Sequence, residues 1–279
     1  MNYSKLTDFN GTPVAEISAG GYTAMIAYEL GSNVIRLHDD KNGIEFFRFK
    51  KDNPAEVIKQ SAEVWGLPSL YLPNRFADGV LKTSDAVYQL PVNEKAPYNN
   101  HIHGFLQKRV HTLAEHYADD NCAVVKTKYR YDENDEFFQY FPVRFLAEFT
   151  FTLSECGLEH KIKLNGTDLE YINGGRKPVL QNVDNEMYVT GCTKLNGQDF
   201  HGVIAEDTES GKKIAYEVSD EYKFWIIWND KGFNGYFCPE PMTAMIDAPN
   251  LSMPAEMTGY REIKPQEAFE ANQRFFTVI

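Results

Sequence analysis

The sequence predicts an all-β protein, a large antiparallel β-sandwich with little helix, built as a single domain over residues 1–279. Two observations carry this expectation. Apolar and polar residues alternate with period two over several stretches, the pattern of a strand with one buried and one wet face. Strands of that kind belong to antiparallel sheets. Asn-Gly pairs, which favour the positive-φ turns that close hairpins, recur at Asn10-Gly11, Asn42-Gly43, Asn165-Gly166, Asn173-Gly174, Asn196-Gly197 and Asn234-Gly235.

Taken in chain order, the first clear departure from strand pattern is Asn53-Pro-Ala-Glu. It supplies an N-cap, a proline at the first helical position and a capping-box Glu56, so a helix should start there and end by Gly66. In V-K-T-K-Y-R-Y, Val125, Tyr129 and Tyr131 face away from Lys126, Lys128 and Arg130. In R-F-L-A-E-F-T-F-T-L, Phe145, Ala147, Phe149, Phe151 and Leu153 share one parity, with Glu148, Thr150 and Thr152 on the other. In L-E-H-K-I-K-L, Leu158, Ile162 and Leu164 alternate with Glu159, Lys161 and Lys163. No Pro- or Ser-rich linker, low-complexity tract or internal repeat divides the chain, so two packed sheets in one domain are the economical expectation.

Composition narrows the function. The net charge of −12 repels phosphate backbones and anionic membrane surfaces, which argues against nucleic-acid and membrane partners. The longest strongly apolar run, Phe224–Trp228, is far too short to span a bilayer. Cys122, Cys156, Cys192 and Cys238 are scattered without a C-x-x-C pair, which argues against a zinc ribbon or dithiol site. With no apolar leader at the N-terminus, the expectation is a reduced, cytoplasmic protein; the oligomeric state is open.

Two polar motifs stand out against the β pattern. N-N-H-I-H-G-F, Asn99 to Phe105, places His101 and His103 two apart, on one face if the segment is a strand. Imidazoles titrate near pH ~6.5 and suit general-acid work. Their alternatives are a turn role or half of a metal site, but His111, His116, His160 and His201 offer no third ligand at matching spacing. F-C-P-E-P-M-T, Phe237 to Thr243, holds Glu240 between prolines that restrict it to extended backbone, suiting a base that meets its proton in one geometry. Upstream, Asn74-Arg75 follows the stiff stretch Gly66 to Pro73. Arg75 there can reach ligand hydroxyls through its planar fork, or pair with Asp78 at the surface.

In order, N-R-F-x-D-G (Asn74 to Gly79), Y-Q-L-P-x-N-E (Tyr88 to Glu94), N-N-H-I-H-G-F, the strand-like F-W-I-I-W-N (Phe224 to Asn229) and F-C-P-E-P-M-T resemble the aldose 1-epimerase, or galactose mutarotase-like, family, from about residue 15 onward. The resemblance implies a galactose mutarotase-like supersandwich and an isomerase that interconverts the α and β anomers of a free hexose such as galactose or glucose, with no cofactor and no metal. It implies Glu240 as general base taking the C1 hydroxyl proton. It implies His103, the histidine before glycine, as the group that contacts the sugar and polarises the ring oxygen. Arg75 would bind sugar hydroxyls, Asn74 would position it, and His101 would support. Asp199, in Q-D-F-H-G, is the nearest candidate for the family's substrate-binding aspartate.

One departure from the pattern matters. The family's main general-acid histidine lies mid-chain, and here Leu164 to Pro178 holds no histidine; neither His160 nor His201 fits the motif. Three readings follow. An internal stretch is missing, with its seam between Thr167 and Asn173; His103 acts as sole acid; or the fold keeps a sugar cleft without catalysis. The first is favoured because the region reads short. The alternatives to a free-hexose mutarotase are a hexose-6-phosphate 1-epimerase, which needs a basic cluster at the cleft, and a non-catalytic carbohydrate-binding protein.

Overall fold

The fold was analysed in a computed structural model, which describes residues 1–52, 55–72, 75–166, 186–188, 193–207, 209–228 and 238–278. The chain opens with a five-stranded meander: β1 (Tyr3–Phe9), β2 (Thr12–Ala19), β3 (Tyr22–Ala27), β4 (Asn33–Asp39) and β5 (Ile44–Glu45), each antiparallel to the one before. Asn10-Gly11 closes the first hairpin with φ of 49° and 86°, the twist of a tight hairpin turn. Asn42-Gly43 joins β4 to β5. A short helix α1 (Ala55–Gln60) and a 3₁₀ turn at Ala62–Val64 follow and stop before Gly66, as expected. The expected cap residues, Asn53 and Pro54, lie outside the described residues.

Four short strands come next: β6 (Arg75–Ala77), β7 (Val80–Lys82), β8 (Val87–Gln89) and β9 (Asn100–Ile102). They pair as β6 with β9 and β7 with β8. The large sheet follows, beginning with β10 (Thr112–Ala118), β11 (Cys122–Tyr131), β12 (Phe145–Ser154) and β13 (Gly157–Gly166). Beyond these come β14 (Glu186–Tyr188), β15 (Thr193–Leu195), β16 (Gln198–Phe200), β17 (Gly202–Glu206), β18 (Lys213–Val218), β19 (Phe224–Trp228) and β20 (Cys238–Met242). A helical turn α2 (Ala255–Thr258) precedes the long β21 (Ala268–Val278).

The seven-stranded sheet runs β10-β11-β12-β13-β21-β18-β17, so the C-terminal strand inserts between β13 and β18. The alternation read from sequence holds along β12, where Phe145, Ala147, Phe149, Phe151 and Leu153 are all buried and the intervening residues are partly exposed. These side chains join Ala15, Ile17, Ala24 and Ile26 of the first sheet in one apolar cluster, so the two sheets pack face to face over a shared core. His160 on β13 belongs to that core. Its ring lies flat on Phe151, centroids 4.5 Å apart, and both ring nitrogens are buried without hydrogen-bond partners. Burial pushes its pKa down to about 3, so it is a neutral packing residue and not an acid.

One turn expectation fails. Asn165-Gly166 does not close a hairpin but forms the last two positions of β13, opposite Leu146 and Phe145. Asn165 also faces Ala268 of β21, so pairing with strands on both sides overrides the local turn preference. Asn196-Gly197 turns β15 into β16 as expected, while Asn173-Gly174 and Asn234-Gly235 lie outside the described residues. Among the described residues, Cys122, Cys156 and Cys238 are free thiols, and no helix is long and apolar enough to cross a membrane.

Candidate active site

Glu240 sits in the middle of β20, directly opposite Ile226 of β19 in a small sheet of order β14-β19-β20. Pro239 and Pro241 face Ile227 and Trp225. A proline cannot donate to a ladder, so it is tolerated at the edge of a sheet, where β20 lies among the described strands. Phe224, Trp225 and Ile226 of the neighbouring strand are all buried. Burial, partly offset by the charge of Arg75, pushes the Glu240 carboxyl up to about 7. The Cys238 thiol, two residues away on the same strand face, is pushed up to about 12, mainly by burial. Glu240 itself is only half-buried, and so a ligand can reach it.

Arg75 and His103 arrive together because β6 pairs with β9. Arg75 lies opposite Ile102, the residue before His103. The β6–β7 segment is also tied to the loop after β20: Asn250 Nδ2 donates to the Val80 carbonyl at 2.8 Å, and the Lys82 amide donates to Asn250 Oδ1 at 3.3 Å. The strands that carry Glu240 and Arg75 are thus linked through one loop.

The two histidines do not share a face. The strand stops at Ile102, and His103 has φ of 64°, followed by Gly104 at 60°. Gly104 explains the H-G pairing: a Cβ there would lie 2.0 Å from the Leu72 amide nitrogen, so only glycine lets the chain cross the Tyr71-Leu72 backbone. The Phe105 and Leu106 amides then donate to the Tyr71 carbonyl at 2.8 and 2.9 Å, fixing the turn. His101 points into the core between Phe76 and Phe137. Its Nδ1–H donates to the Pro91 carbonyl at 2.8 Å, since a carbonyl only accepts. Burial holds it neutral, with its pKa below the usual range.

His103 is half-buried, and its surroundings are charged. Its pKa falls to about 4, first through burial and then through Arg75, while Glu94 opposes the fall and Lys108 adds to it. The sequence suggested an imidazole titrating near neutrality; the structure holds it neutral there.

Glu94 ends the Y-Q-L-P-x-N-E motif, and nothing in the sequence marks its partner. Arg75 Nε donates to both Glu94 oxygens at 2.9 Å, Arg75 Nη2 lies 2.8 Å from Oε1, and Asn100 Nδ2 donates to Oε2 at 2.7 Å. Asp78, the alternative partner considered for Arg75, instead occupies a tight turn with φ of 52° before Gly79. Asn74 lies outside the described residues. Asp199 is exposed on the β15–β16 hairpin and pairs with Lys194 across the strands, so the described contacts do not bring it to Glu240. The stretch Leu164 to Pro178 falls largely outside the described residues. His201, the other mid-chain histidine, lies 3.7 Å from Asp220.

A sandwich of two antiparallel sheets carries a carboxyl that titrates near pH 7, a neutral imidazole and a clamped guanidinium, groups of the kind that proton transfer uses. The family model described as aldose 1-epimerase matches residues 13–173, and the chain belongs to that family. A galactose mutarotase-like protein from Clostridium acetobutylicum shares 26% identity over 98% of each chain, with a TM-score of 0.88. Galactose 1-epimerase from Lactobacillus acidophilus shares the fold at 14% identity, covering 99% of each chain with a TM-score of 0.62. A GalM/aldose epimerase homologue from C. elegans does so at 15% identity, 99% of this chain and 100% of that one, with a TM-score of 0.64.

Proposed function

We propose that this protein is an aldose 1-epimerase that interconverts the anomers of a free hexose, with galactose or glucose as the first substrates to test. The observation that carries the reading is Glu240, a half-buried carboxyl whose pKa of about 7 poises it to gain and lose a proton at neutral pH. In the proposed reaction Glu240 takes the C1 hydroxyl proton, and the freed electron pair forms the C1 carbonyl as the bond from C1 to the ring oxygen breaks. His103, neutral, donates a hydrogen bond to that oxygen as charge develops there, and water supplies its proton. A neutral imidazole acting this way is an electrophile rather than a charged acid. Rotation about C1–C2 presents the other carbonyl face, and the same steps in reverse close the ring. Arg75 holds the sugar hydroxyls in register.

A second reading, a hexose-6-phosphate substrate, is supported by charge near the site: Lys108 acts on His103, and Arg48 acts on Cys238 beside Glu240. Polarimetry of freshly dissolved α-D-galactose, α-D-glucose and glucose 6-phosphate tests both readings. Equilibration faster than the buffer blank, lost in Glu240→Gln, supports the mutarotase and its base. Acceleration of the phosphate ester alone selects the second reading. No acceleration of any of the three refutes both.

A further inference from the structure

We propose that Glu94 is a positioning residue of this site, which fixes the Arg75 guanidinium and opposes its charge beside Glu240 and His103. The inference rests on reading Arg75 as a sugar-binding residue; its electrostatic half rests on the Arg75–Glu94 ion pair and on the charge of Arg75 acting at Glu240 and His103.

The geometry is more than a surface ion pair. Three contacts of 2.8–2.9 Å lock the Nε–Nη2 edge of Arg75 onto both Glu94 oxygens, and Asn100 at 2.7 Å holds the second oxygen from behind. Glu94 is itself anchored, because its amide donates to the Asn100 carbonyl at 3.0 Å. The preceding Asn93 clasps Ile102 from both sides. Its Oδ1 accepts from the Ile102 amide at 2.7 Å and its Nδ2 donates to the Ile102 carbonyl at 2.9 Å. One segment, Asn93–Asn100, therefore fastens both Arg75 and the residue that launches His103. A bidentate clamp of this kind pre-pays the orientation of a long side chain that would otherwise be ordered only on binding.

The charges follow the same design. Arg75 acts on both proton-transfer candidates, lowering Glu240 and His103, whereas Glu94 raises His103. Burial works against an ionised Glu94, yet the hydrogen bonds from Arg75 and Asn100 keep its carboxyl below the usual range, so it stays a full counter-charge at neutral pH. Without that counter-charge, the guanidinium would draw the Glu240 midpoint further down and leave a weaker base.

The test is Glu94→Gln in the full chain, with Asn100→Ala beside it. Gln keeps the shape and one acceptor but not the charge; Asn100→Ala keeps the charge but removes the tie. The ¹³C carboxyl titration of Glu240 reads the electrostatic half without requiring turnover. Its midpoint should fall by ~0.5 pH unit or more in Glu94→Gln and stay put in Asn100→Ala. Sugar KM should rise roughly tenfold in Glu94→Gln and several-fold in Asn100→Ala. An unmoved Glu240 midpoint in Glu94→Gln overturns the proposal, whatever its stability. If wild type accelerates no sugar, the function reading fails, and the carboxyl titration still decides this one. If Glu94→Gln does not fold, a wild-type KM and a normal pH profile in Asn100→Ala overturn the orienting role.

Discussion

If Glu240 is the base, kcat/KM must follow its ionisation in the free enzyme. With a pKa of about 7, the carboxylate fraction is roughly 90% at pH 8, about 10% at pH 6 and about 1% at pH 5. Blank-corrected kcat/KM should therefore rise about 90-fold from pH 5 to pH 8, steepest below 7. An ordinary glutamate, near 4.5, would give a change of less than about 1.5-fold over the same range. His103 does not blur the window, since burial keeps it near 4. The assay is initial-rate polarimetry at constant ionic strength across pH 5–8, with Glu240→Gln expected to lie ~10²–10⁴-fold lower on the plateau. A flat profile refutes the raised pKa. A rate that falls as pH rises through 7 refutes the base role, because the protonated carboxyl would then be the working form.

Three further outcomes follow from the same geometry. Because the folded pKa of Glu240 lies above its unfolded value, its stabilising contribution is complete below about 4.5 and is lost as pH rises through about 7. Glu240→Gln should therefore unfold at higher denaturant than wild type at pH 8, by ~1–2 kcal/mol after allowing for its partial exposure, with little difference at pH 5. Gly104→Ala, forced into φ of 60° with its Cβ 2.0 Å from the Leu72 nitrogen, should cost at least ~2 kcal/mol in urea melts and weaken sugar binding. His160 runs the opposite way to Glu240: its folded pKa is depressed to about 3, so the unfolded chain takes its proton first as pH drops below about 6.5. His160→Leu should flatten the acid-side loss of stability by ~1.4 kcal/mol per pH unit between 6 and 4; a parallel slope in wild type and variant would show that the ring is not sequestered.

The sheets were legible because a period of two is a local signal. Phe145 to Leu153 alternate in sequence and are buried in the same alternation. The extended backbone at Glu240 was legible from its flanking prolines, and it lies on a strand that is at the edge among those described. His103 was misplaced beside His101 because a positive φ at a histidine has no sequence mark; what imposes it is the crossing of Gly104 over Tyr71-Leu72, a contact from more than thirty residues upstream. The Arg75–Glu94 clamp spans 19 positions of sequence and depends on the β6–β9 pairing, which alternation does not specify. Asp199 is the nearest match in sequence to the family's aspartate, and the hairpin that carries it exposes it and pairs it with Lys194.

The prolines around Glu240 have a second consequence, for the behaviour of the protein in a crowd. A short apolar strand left at the rim of a small sheet is a template on which another chain can add a strand. Among the described strands β20 pairs with β19 alone, so its other side is a rim of this kind. Pro239 and Pro241 lack the amide hydrogens that an incoming backbone would need. The same two residues that hold Glu240 in extended backbone therefore make its strand a poor seed for aggregation.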